Sequence, residues 1–267
     1  MTKLSKKKFH SICLEVRKNI IELIYNAGSG HLGPSLSIVE LLVYLYFVQI
    51  NFNKKQRDKI ILSKGHAVPC LYGVAIEKKI LKKNFKDFRK IGSKLQGHPD
   101  RTLFSHIDLS TGALGQGLSV AIGYSIASYL QKKNFNTYCI LGDGELQEGQ
   151  IWEAAMYIGS KKILNVCTII DNNKFQNEMS VRETLDLGNL QKKFESFGFK
   201  VVKIDGHSFS EISKILTKFK KKFYSKPLCI ILNTVKGKGI KFMENDGEWH
   251  SKTLLKEDYI TAKKLLK

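Results

Sequence analysis

Residues 137–149 read TYCILGDGELQEG, and residues 164–175 read LNVCTIIDNNKF. Each segment opens with a short apolar run that includes β-branched residues, which favour strands, and each run gives way to polar or small residues. The first run leads into Asp143, which lies between two glycines, and the second leads into Asp171, Asn172 and Asn173. Two predicted strand ends therefore carry a carboxylate and a side-chain amide.

The remaining chain alternates between helical and strand patterns without a linker or an internal repeat. Apolar spacing predicts helices over residues 4–27, 38–47, 68–79, 116–131, 147–159, 190–197 and 211–222. Short apolar runs predict strands over residues 59–62, 137–141, 164–170, 200–204 and 228–233, and residues 92–112 predict a long loop. This alternation predicts a three-layer α/β fold with a mainly parallel sheet and helices on both faces. We expect residues 1–267 to form a single domain.

The composition excludes several other classes of protein. The chain has 267 residues, 43% of them hydrophobic, and its 21 glycines against 4 prolines exclude collagen-like or low-complexity character. Its longest apolar run, residues 41–48, is far shorter than the roughly 20 residues that cross a bilayer. The five cysteines are scattered without a CxxC pair, and no signal-peptide pattern follows the basic N-terminus. We therefore expect a cytoplasmic protein with reduced thiols and no membrane partner.

The net charge of +20 comes almost entirely from lysine, because the chain has 39 lysines and only 5 arginines. Arginine is the preferred residue for bidentate recognition of phosphates and base edges. The lysine surplus therefore favours a solvated surface, phosphorylated substrates or an acidic partner chain. We expect no nucleic-acid partner.

The two polar strand ends predict a ligand site. In parallel sheets ligands bind outside the carboxyl ends of the strands. The carboxylate of Asp143 and a side-chain amide of the Asn172-Asn173 pair would supply hard oxygen ligands that suit Mg²⁺ or Ca²⁺. The glycines beside Asp143 would let a bulky anion approach the backbone, and the next helix N-terminus would offer N–H groups to it. Either motif alone is also an ordinary turn. Together they indicate a metal-bridged diphosphate site.

The distance between the two motifs carries a family resemblance. GDG at 142–144 and NN at 172–173, with 27 residues between them, resemble the signature of thiamine-diphosphate enzymes. Further motifs follow in transketolase order: GSGHLG at 28–33, SKGH at 63–66, GHP at 97–99, STGALGQG at 110–117, GDGELQEG at 142–149, KGKG at 236–239 and WH at 249–250. The resemblance covers about residues 10 to 255 and matches only the N-terminal, diphosphate-binding domain of transketolase. It implies the thiamine-diphosphate-binding fold.

The resemblance also implies roles for individual residues. Asp143, Asn173 and the carbonyl of Phe175 would bind Mg²⁺, for which Ca²⁺ or Mn²⁺ are possible substitutes. The implied cofactor-binding residues are His66, Gly112, Ala113, Leu114, Gly144, Glu148 and Asn173. His31, His98 and His250 would be catalytic, holding donor hydroxyls or transferring protons, whereas His10, His106 and His207 are assigned no role.

Glu148 has two interpretations. It matches a buried glutamate that links paired active sites in the family, and it also lies where an acidic residue favours a helix N-terminus. After Lys174 the sequence lacks the Asp-Gly often found in the family, which affects the expected shape of that loop.

The resemblance implies the N-terminal subunit of a heteromeric transketolase of the pentose phosphate pathway. It would transfer a two-carbon ketol unit from a ketose phosphate to an aldose phosphate with thiamine diphosphate and Mg²⁺. A C-terminal partner subunit would supply the pyrimidine-binding domain and the catalytic glutamate, with two copies of each chain. Two alternatives remain open: a related ketol or acyl transferase that acts on a specialised sugar, and a non-catalytic remnant or binding protein. Residues 146–154 resemble transketolase rather than deoxyxylulose-phosphate synthase.

Overall fold

A computed structural model describes residues 4–52, 54 and 56–267, so the first three residues of the basic N-terminus lie outside the described residues. Its strands are β1 Lys59–Leu62, β2 Thr137–Gly142, β3 Val166–Asn172, β4 Phe175–Gln176, β5 Met179–Ser180, β6 Lys200–Asp205 and β7 Leu228–Asn233. Within the described residues, five strands form a parallel sheet in the order β1-β2-β3-β7-β6, and β4 and β5 form a separate antiparallel hairpin. The predicted parallel sheet is confirmed.

Helices connect the strands. They are α1 Lys6–Ala27, α2 Leu32–Leu36, α3 Val39–Tyr44, α4 Val68–Glu77, α5 Gln116–Leu130, α6 Gly149–Ser160, α7 Val181–Leu185, α8 Leu190–Ser196, α9 Phe209–Lys220 and α10 Lys256–Leu265. The side chain of Ser5 caps α1 by accepting the N–H of Lys8, and Gly28 ends it in the left-handed conformation. In the part of the chain that the structure describes, no helix has both the length and the apolar character of a membrane span.

The sheet is covered on both faces. Ile60 and Tyr138 pack on one side with α1, α3, α4 and α9, while Ile61 and Cys139 pack on the other side with α5, α6 and α8. Successive residues of a strand point to opposite faces, so an all-apolar strand is buried on both sides. The three-layer α/β fold predicted from the sequence is therefore confirmed.

Several local predictions differ from the structure. β3 begins two residues later than predicted because Leu164 remains partly exposed, and it ends at Asn172, which pairs in register with Asn233. The short helices α2 and α7 and the β4–β5 hairpin were not predicted, because these elements are too short to show a periodic pattern of apolar residues. α10 was also missed because its sequence is dominated by charged residues.

The topology places the site at one edge of the sheet. The strands β1, β2, β3 and β7 are parallel, so the segments that follow them, 63–66, 143–148, 173–174 and 234–239, start from the same edge. The backbone N–H of Asp143 donates to the carbonyl of Asp171 at 3.1 Å, which continues the ladder one residue beyond β2. The polar strand ends identified in the sequence are thus neighbours in space.

Gly159, in α6, packs against the end of α8 without room for a side chain. A Cβ there would lie 1.7 Å from the carbonyl oxygen of Phe197. We expect Gly159→Ala to lower the free energy of unfolding by about 3 kcal/mol, the upper end of the usual cost of overpacking. Gly149→Ala is the matched control, because nothing lies within 4 Å of a Cβ at that position of the same helix. Urea unfolding gives the free energy of unfolding of both variants. Equal losses would contradict the close contact between Gly159 and the carbonyl of Phe197.

Candidate functional site

A cavity opens at the carboxyl edge of the sheet. It is lined by nine of the predicted site residues: His31, His66, Gly112, Leu114, Asp143, Gly144, Asn173, Phe175 and His250. It is also lined by residues for which the sequence predicted no role: Pro34, Lys64, Gly142, Glu145, Gln176, Asn177 and Lys236. The fold therefore gathers residues from distant parts of the chain into one concave site.

Three predicted residues are not part of this lining. His98 lies beside it, with its ring centroid 6.4 Å from that of His31. Ala113 is exposed, between two residues that do line the cavity. Glu148 is exposed at the N-cap of α6 in this chain by itself and makes no capping hydrogen bond. Its role in linking paired sites stays a prediction. The buried acids of this loop are Asp143 and Glu145.

A buried ion pair lies beneath the cavity. The ammonium of Lys64 is 2.5 Å from Oδ2 of Asp171, and both side chains are almost completely excluded from solvent. Asp171 also accepts hydrogen bonds from the hydroxyls of Ser37 and Thr234 and from the amide of Asn173. These contacts join the end of β1, the end of α2, the end of β3 and the segment after β7. A buried carboxylate needs such a complete set of partners.

Asp143 is a second buried carboxylate, and it has no ion pair among residues 4–52, 54 and 56–267. Its two oxygens accept the backbone N–H groups of Gly144 at 2.9 Å and Lys174 at 2.5 Å. Burial and the nearby charge of Asp171 raise the pKa of Asp143 to about 7. A divalent cation at this carboxylate would compensate its buried charge and restore the ionised form.

The oxygen donors next to Asp143 fit a hard cation. The amide oxygen of Asn173 accepts the N–H of Phe175 at 3.0 Å, which turns the chain directly after β3. In the described part of the chain, no group of three or more His, Cys, Asp or Glu side chains could hold a metal. A cation here would therefore be held by one carboxylate together with amide and carbonyl oxygens, which is a donor set that suits Mg²⁺ or Ca²⁺.

Gly144 and Glu145 shape the floor of the cavity. A Cβ on Gly144 would lie 2.9 Å from Cβ of Gln176, so only glycine fits there. The carboxylate of Glu145 accepts the hydroxyl of Ser63 and the N–H groups of Gly115 and Gly142, and burial raises its pKa. Glu145 thereby ties the loops after β1 and before α5 to the end of β2. No sequence pattern indicates this role, because two of its partners, Ser63 and Gly115, are distant along the chain.

Four imidazoles cluster at the mouth of the cavity. The ring centroid of His31 lies 5.3 Å from that of His66 and 5.2 Å from that of His250. Burial, together with the nearby cationic and imidazole groups, lowers the pKa of His31 to about 4 and that of His250 to about 3, and it also lowers the pKa of His66 and His98. The four rings are therefore neutral near pH 7, and each offers one donor and one acceptor.

Lys236 also lines the cavity. Its ammonium donates to the carbonyls of Asn177 at 2.6 Å and Gly247 at 3.1 Å and lies 5.1 Å from the centroid of the Phe175 ring. Burial lowers the pKa of Lys236 to about 8. This lysine belongs to the KGKG motif, but the sequence predicted no role for it because its contacts join three segments far apart in the chain.

The fold and the cavity define an α/β domain that binds its ligand at the carboxyl edge of a parallel sheet, with oxygen donors for a cation and neutral imidazoles beside them. A family model described as "Transketolase, thiamine diphosphate binding domain" matches residues 10–266. The chain belongs to this family. The match reaches beyond the C-terminal limit of the sequence resemblance and includes α10.

Two similar relatives are named as subunits. The chain is 35% identical to an apulose-4-phosphate transketolase subunit from Phocaeicola vulgatus, over 92% of this chain and 89% of that protein. It is 38% identical to the 6-deoxy-6-sulfo-D-fructose transketolase subunit SqwG of Clostridium sp. (strain MSTE9), over 92% of each chain.

Longer relatives match over part of their length. Human transketolase is 36% identical over 90% of this chain but only 39% of its own. The crystal structure of transketolase from Campylobacter jejuni superposes with a TM-score of 0.90 at 30% identity, over 98% of this chain and 43% of that one. The chain thus spans about two fifths of these transketolases.

Removing the ammonium of Lys64 from its buried ion pair with Asp171 should destabilise the protein strongly. Lys64→Met leaves Asp171 buried without its ammonium, so we expect a loss of about 3–5 kcal/mol in the free energy of unfolding. Asp171→Asn removes the charge of the partner, and the double variant should therefore lose much less than the sum of the two single variants. Chemical unfolding of all four proteins tests this. Additive losses would show that the two side chains are not coupled.

The imidazoles of His31 and His250 should remain neutral at mildly acidic pH. Their folded-state pKa values, about 4 and about 3, lie below the ordinary value of 6.5, so the unfolded chain binds more protons below pH 6.5. The stability that these groups contribute is complete above pH 6.5 and is lost as the pH falls toward their folded-state pKa values. NMR titration of the ring signals, assigned with His31→Gln and His250→Gln, should give midpoints near these values. A midpoint near 6.5 for either ring would contradict the burial described above.

Proposed function

We propose that the chain is the thiamine diphosphate-binding subunit of a heteromeric transketolase that transfers a two-carbon ketol unit from a ketose phosphate to an aldose phosphate. The observation that carries this proposal is the cavity itself, where a buried carboxylate with no ion pair to any described residue lies beside an amide oxygen and neutral imidazoles. The names of the relatives support the same class of reaction. We further propose that the chain acts as one domain, in the cytoplasm and in the pentose phosphate pathway.

Three oxygen donors hold the metal in this proposal. The carboxylate of Asp143, the amide of Asn173 and the carbonyl of Phe175 bind Mg²⁺, and Ca²⁺ or Mn²⁺ can replace it. Gly144 donates its N–H to the diphosphate in this proposal. Because glycine has no side chain, the diphosphate can approach the backbone closely there. When bound, thiamine diphosphate supplies an electron sink for cleavage and formation of a carbon–carbon bond.

In this proposal the neutral histidines bind the donor sugar and transfer its protons. His31, His98 and His250 donate to and accept from the donor hydroxyls, and an unprotonated nitrogen can take a hydroxyl proton and return it later. Of the four histidines, His66 would be the one nearest the diphosphate. Residues 112–114 line the cofactor on the loop before α5, with Gly112 and Leu114 in the cavity wall.

A partner chain completes the enzyme in this proposal. The two relatives named as subunits match over about nine tenths of their own length, while complete transketolases extend well beyond the matched part. We propose that the partner supplies the pyrimidine-binding domain and the catalytic glutamate, and that two copies of each chain form the working unit. Glu148, exposed at the start of α6, is then available to link the paired sites.

A second candidate is transfer to or from a specialised sugar. Both relatives named as subunits carry the name of an unusual sugar, apulose 4-phosphate in one and 6-deoxy-6-sulfo-D-fructose in the other. A non-catalytic remnant is less well supported, because Asp143, Asn173, His31, His66, His98 and His250 are all retained.

Capture of the chain from its native lysate tests the proposal. The captured material is assayed with thiamine diphosphate, Mg²⁺, xylulose 5-phosphate and ribose 5-phosphate. We expect a second chain to be recovered together with formation of sedoheptulose 7-phosphate. A partner chain without this activity would favour the specialised-sugar candidate, and neither partner nor activity would contradict both.

Asp143→Ala should remove activity without unfolding the chain. Loss of the carboxylate removes the proposed charged metal ligand, so we expect kcat of the captured complex to fall about a hundredfold or more. The matched control is Glu257→Ala, which removes an exposed carboxylate in the first turn of α10. The complex is assayed with saturating Mg²⁺, and circular dichroism checks the fold. Full activity of Asp143→Ala would refute the assignment of the metal site.

A further inference from the structure

A second buried polar network lies outside the cavity and includes none of the predicted site residues. The guanidinium of Arg17, in α1, donates to Oε1 of Glu40, in α3, at 2.7 Å. Nδ1 of His207, in the loop between β6 and α9, lies 2.9 Å from Oε2 of the same carboxylate. Arg17 and Glu40 are buried and His207 is largely so. We call these three residues the Glu40 clamp.

The hydrogen bonds fix where the protons lie. The backbone N–H of Val235 can only donate, so Nε2 of His207, at 2.9 Å from it, must accept. The ring proton of the neutral imidazole is therefore on Nδ1 and is donated to Glu40. Burial alone would raise the pKa of Glu40, but the charge of Arg17 and the bond from His207 bring it below its usual range. The clamp is thus an ionised carboxylate shared by two donors.

The clamp holds both ends of one short segment. His207 accepts the N–H of Val235, and Nε of Arg17 donates to the carbonyl of Lys238 at 2.8 Å. Between them, Gly237 donates its N–H to the carbonyl of Gly33 at 3.2 Å. One carboxylate, through its two partners, therefore fixes the backbone of residues 235–238 at both ends.

This segment carries Lys236 into the cavity. The clamp holds the backbone on either side of Lys236, and the ammonium of Lys236 donates to the carbonyls of Asn177 and Gly247. Those carbonyls belong to the turn of the β4–β5 hairpin, next to Phe175, and to the loop that precedes His250. A displacement of residues 235–238 would therefore disturb two sides of the cavity together.

We propose that Arg17, Glu40 and His207 are positioning residues that hold residues 235–238, and through Lys236 the hairpin and His250, in the arrangement needed for catalysis. This inference rests on the proposed function for its effect on the reaction. It extends that function to three residues that do not line the cavity.

Substitutions of His207 separate positioning from simple stability. His207→Phe fills the space but loses both hydrogen bonds, whereas a glutamine can direct its N–H to Glu40 and its oxygen to Val235. We expect His207→Phe to lower kcat of the captured complex about tenfold to a hundredfold, as small displacements at an active site do, with a smaller change in KM. His207→Gln should retain most of the activity. His10→Phe, at an exposed position of α1, is the matched control.

Hydrogen exchange provides a readout that does not depend on activity. In the captured complex, His207→Phe should speed exchange of the backbone amides of residues 235–250, while His207→Gln and His10→Phe leave it unchanged. If His207→Phe fails to fold, Glu40→Gln replaces it, with the same expected loss of kcat and the same faster exchange.

Three results would overturn the inference: slow exchange over residues 235–250 in the clamp variant, faster exchange with unchanged kcat, or an equal loss of kcat in His207→Gln. A wild-type complex without transketolase activity would instead refute the proposed function. In that case the exchange data still decide whether the clamp holds the segment.

Discussion

The buried ion pair between Lys64 and Asp171 is the contact on which the rest of the site depends. Asp171 receives four side chains, from the ends of β1, α2 and β3 and from the segment after β7. These four segments are separated along the chain, and their contacts with this one carboxylate fix the positions of their loops relative to one another. A buried charge is tolerated only where its partners are complete, and this requirement holds the carboxyl edge of the sheet in one arrangement.

Two consequences follow for the chemistry of the cavity. Lys64 is paired with Asp171, and the hydrogen-bond partners of Asp143 within the described residues are two backbone N–H groups. This makes the carboxylate of Asp143 suited to a cation from solution. The same burial keeps the imidazoles of His31 and His250 neutral in a chain whose net charge is +20. The lysine-rich surface and the uncharged histidine cluster are therefore compatible features of one molecule.

The sequence predicted the layers of the fold and most of the cavity, because both depend on local patterns. Apolar runs identified the strands, and the polar residues after two of them identified Asp143 and the Asn172-Asn173 pair. The roles of the histidines came from the resemblance to transketolase. It did not predict the roles of Lys64, Glu145 or Lys236, whose partners come from distant segments that only the folded chain brings together. The expected burial of Glu148 was taken from a family whose subunits associate, and the chain by itself leaves that residue exposed.

A titration of the captured complex with Mn²⁺, followed by electron paramagnetic resonance, shows whether Asp143 holds the metal. Mn²⁺ takes the oxygen ligands that Mg²⁺ takes, and its bound and free forms are distinguishable. We expect the wild-type complex to bind Mn²⁺ tightly when thiamine diphosphate is present, and the folded Asp143→Asn complex to bind it much more weakly. Equal affinity of the two complexes for Mn²⁺ would contradict the role of the buried carboxylate as the metal ligand of this cavity.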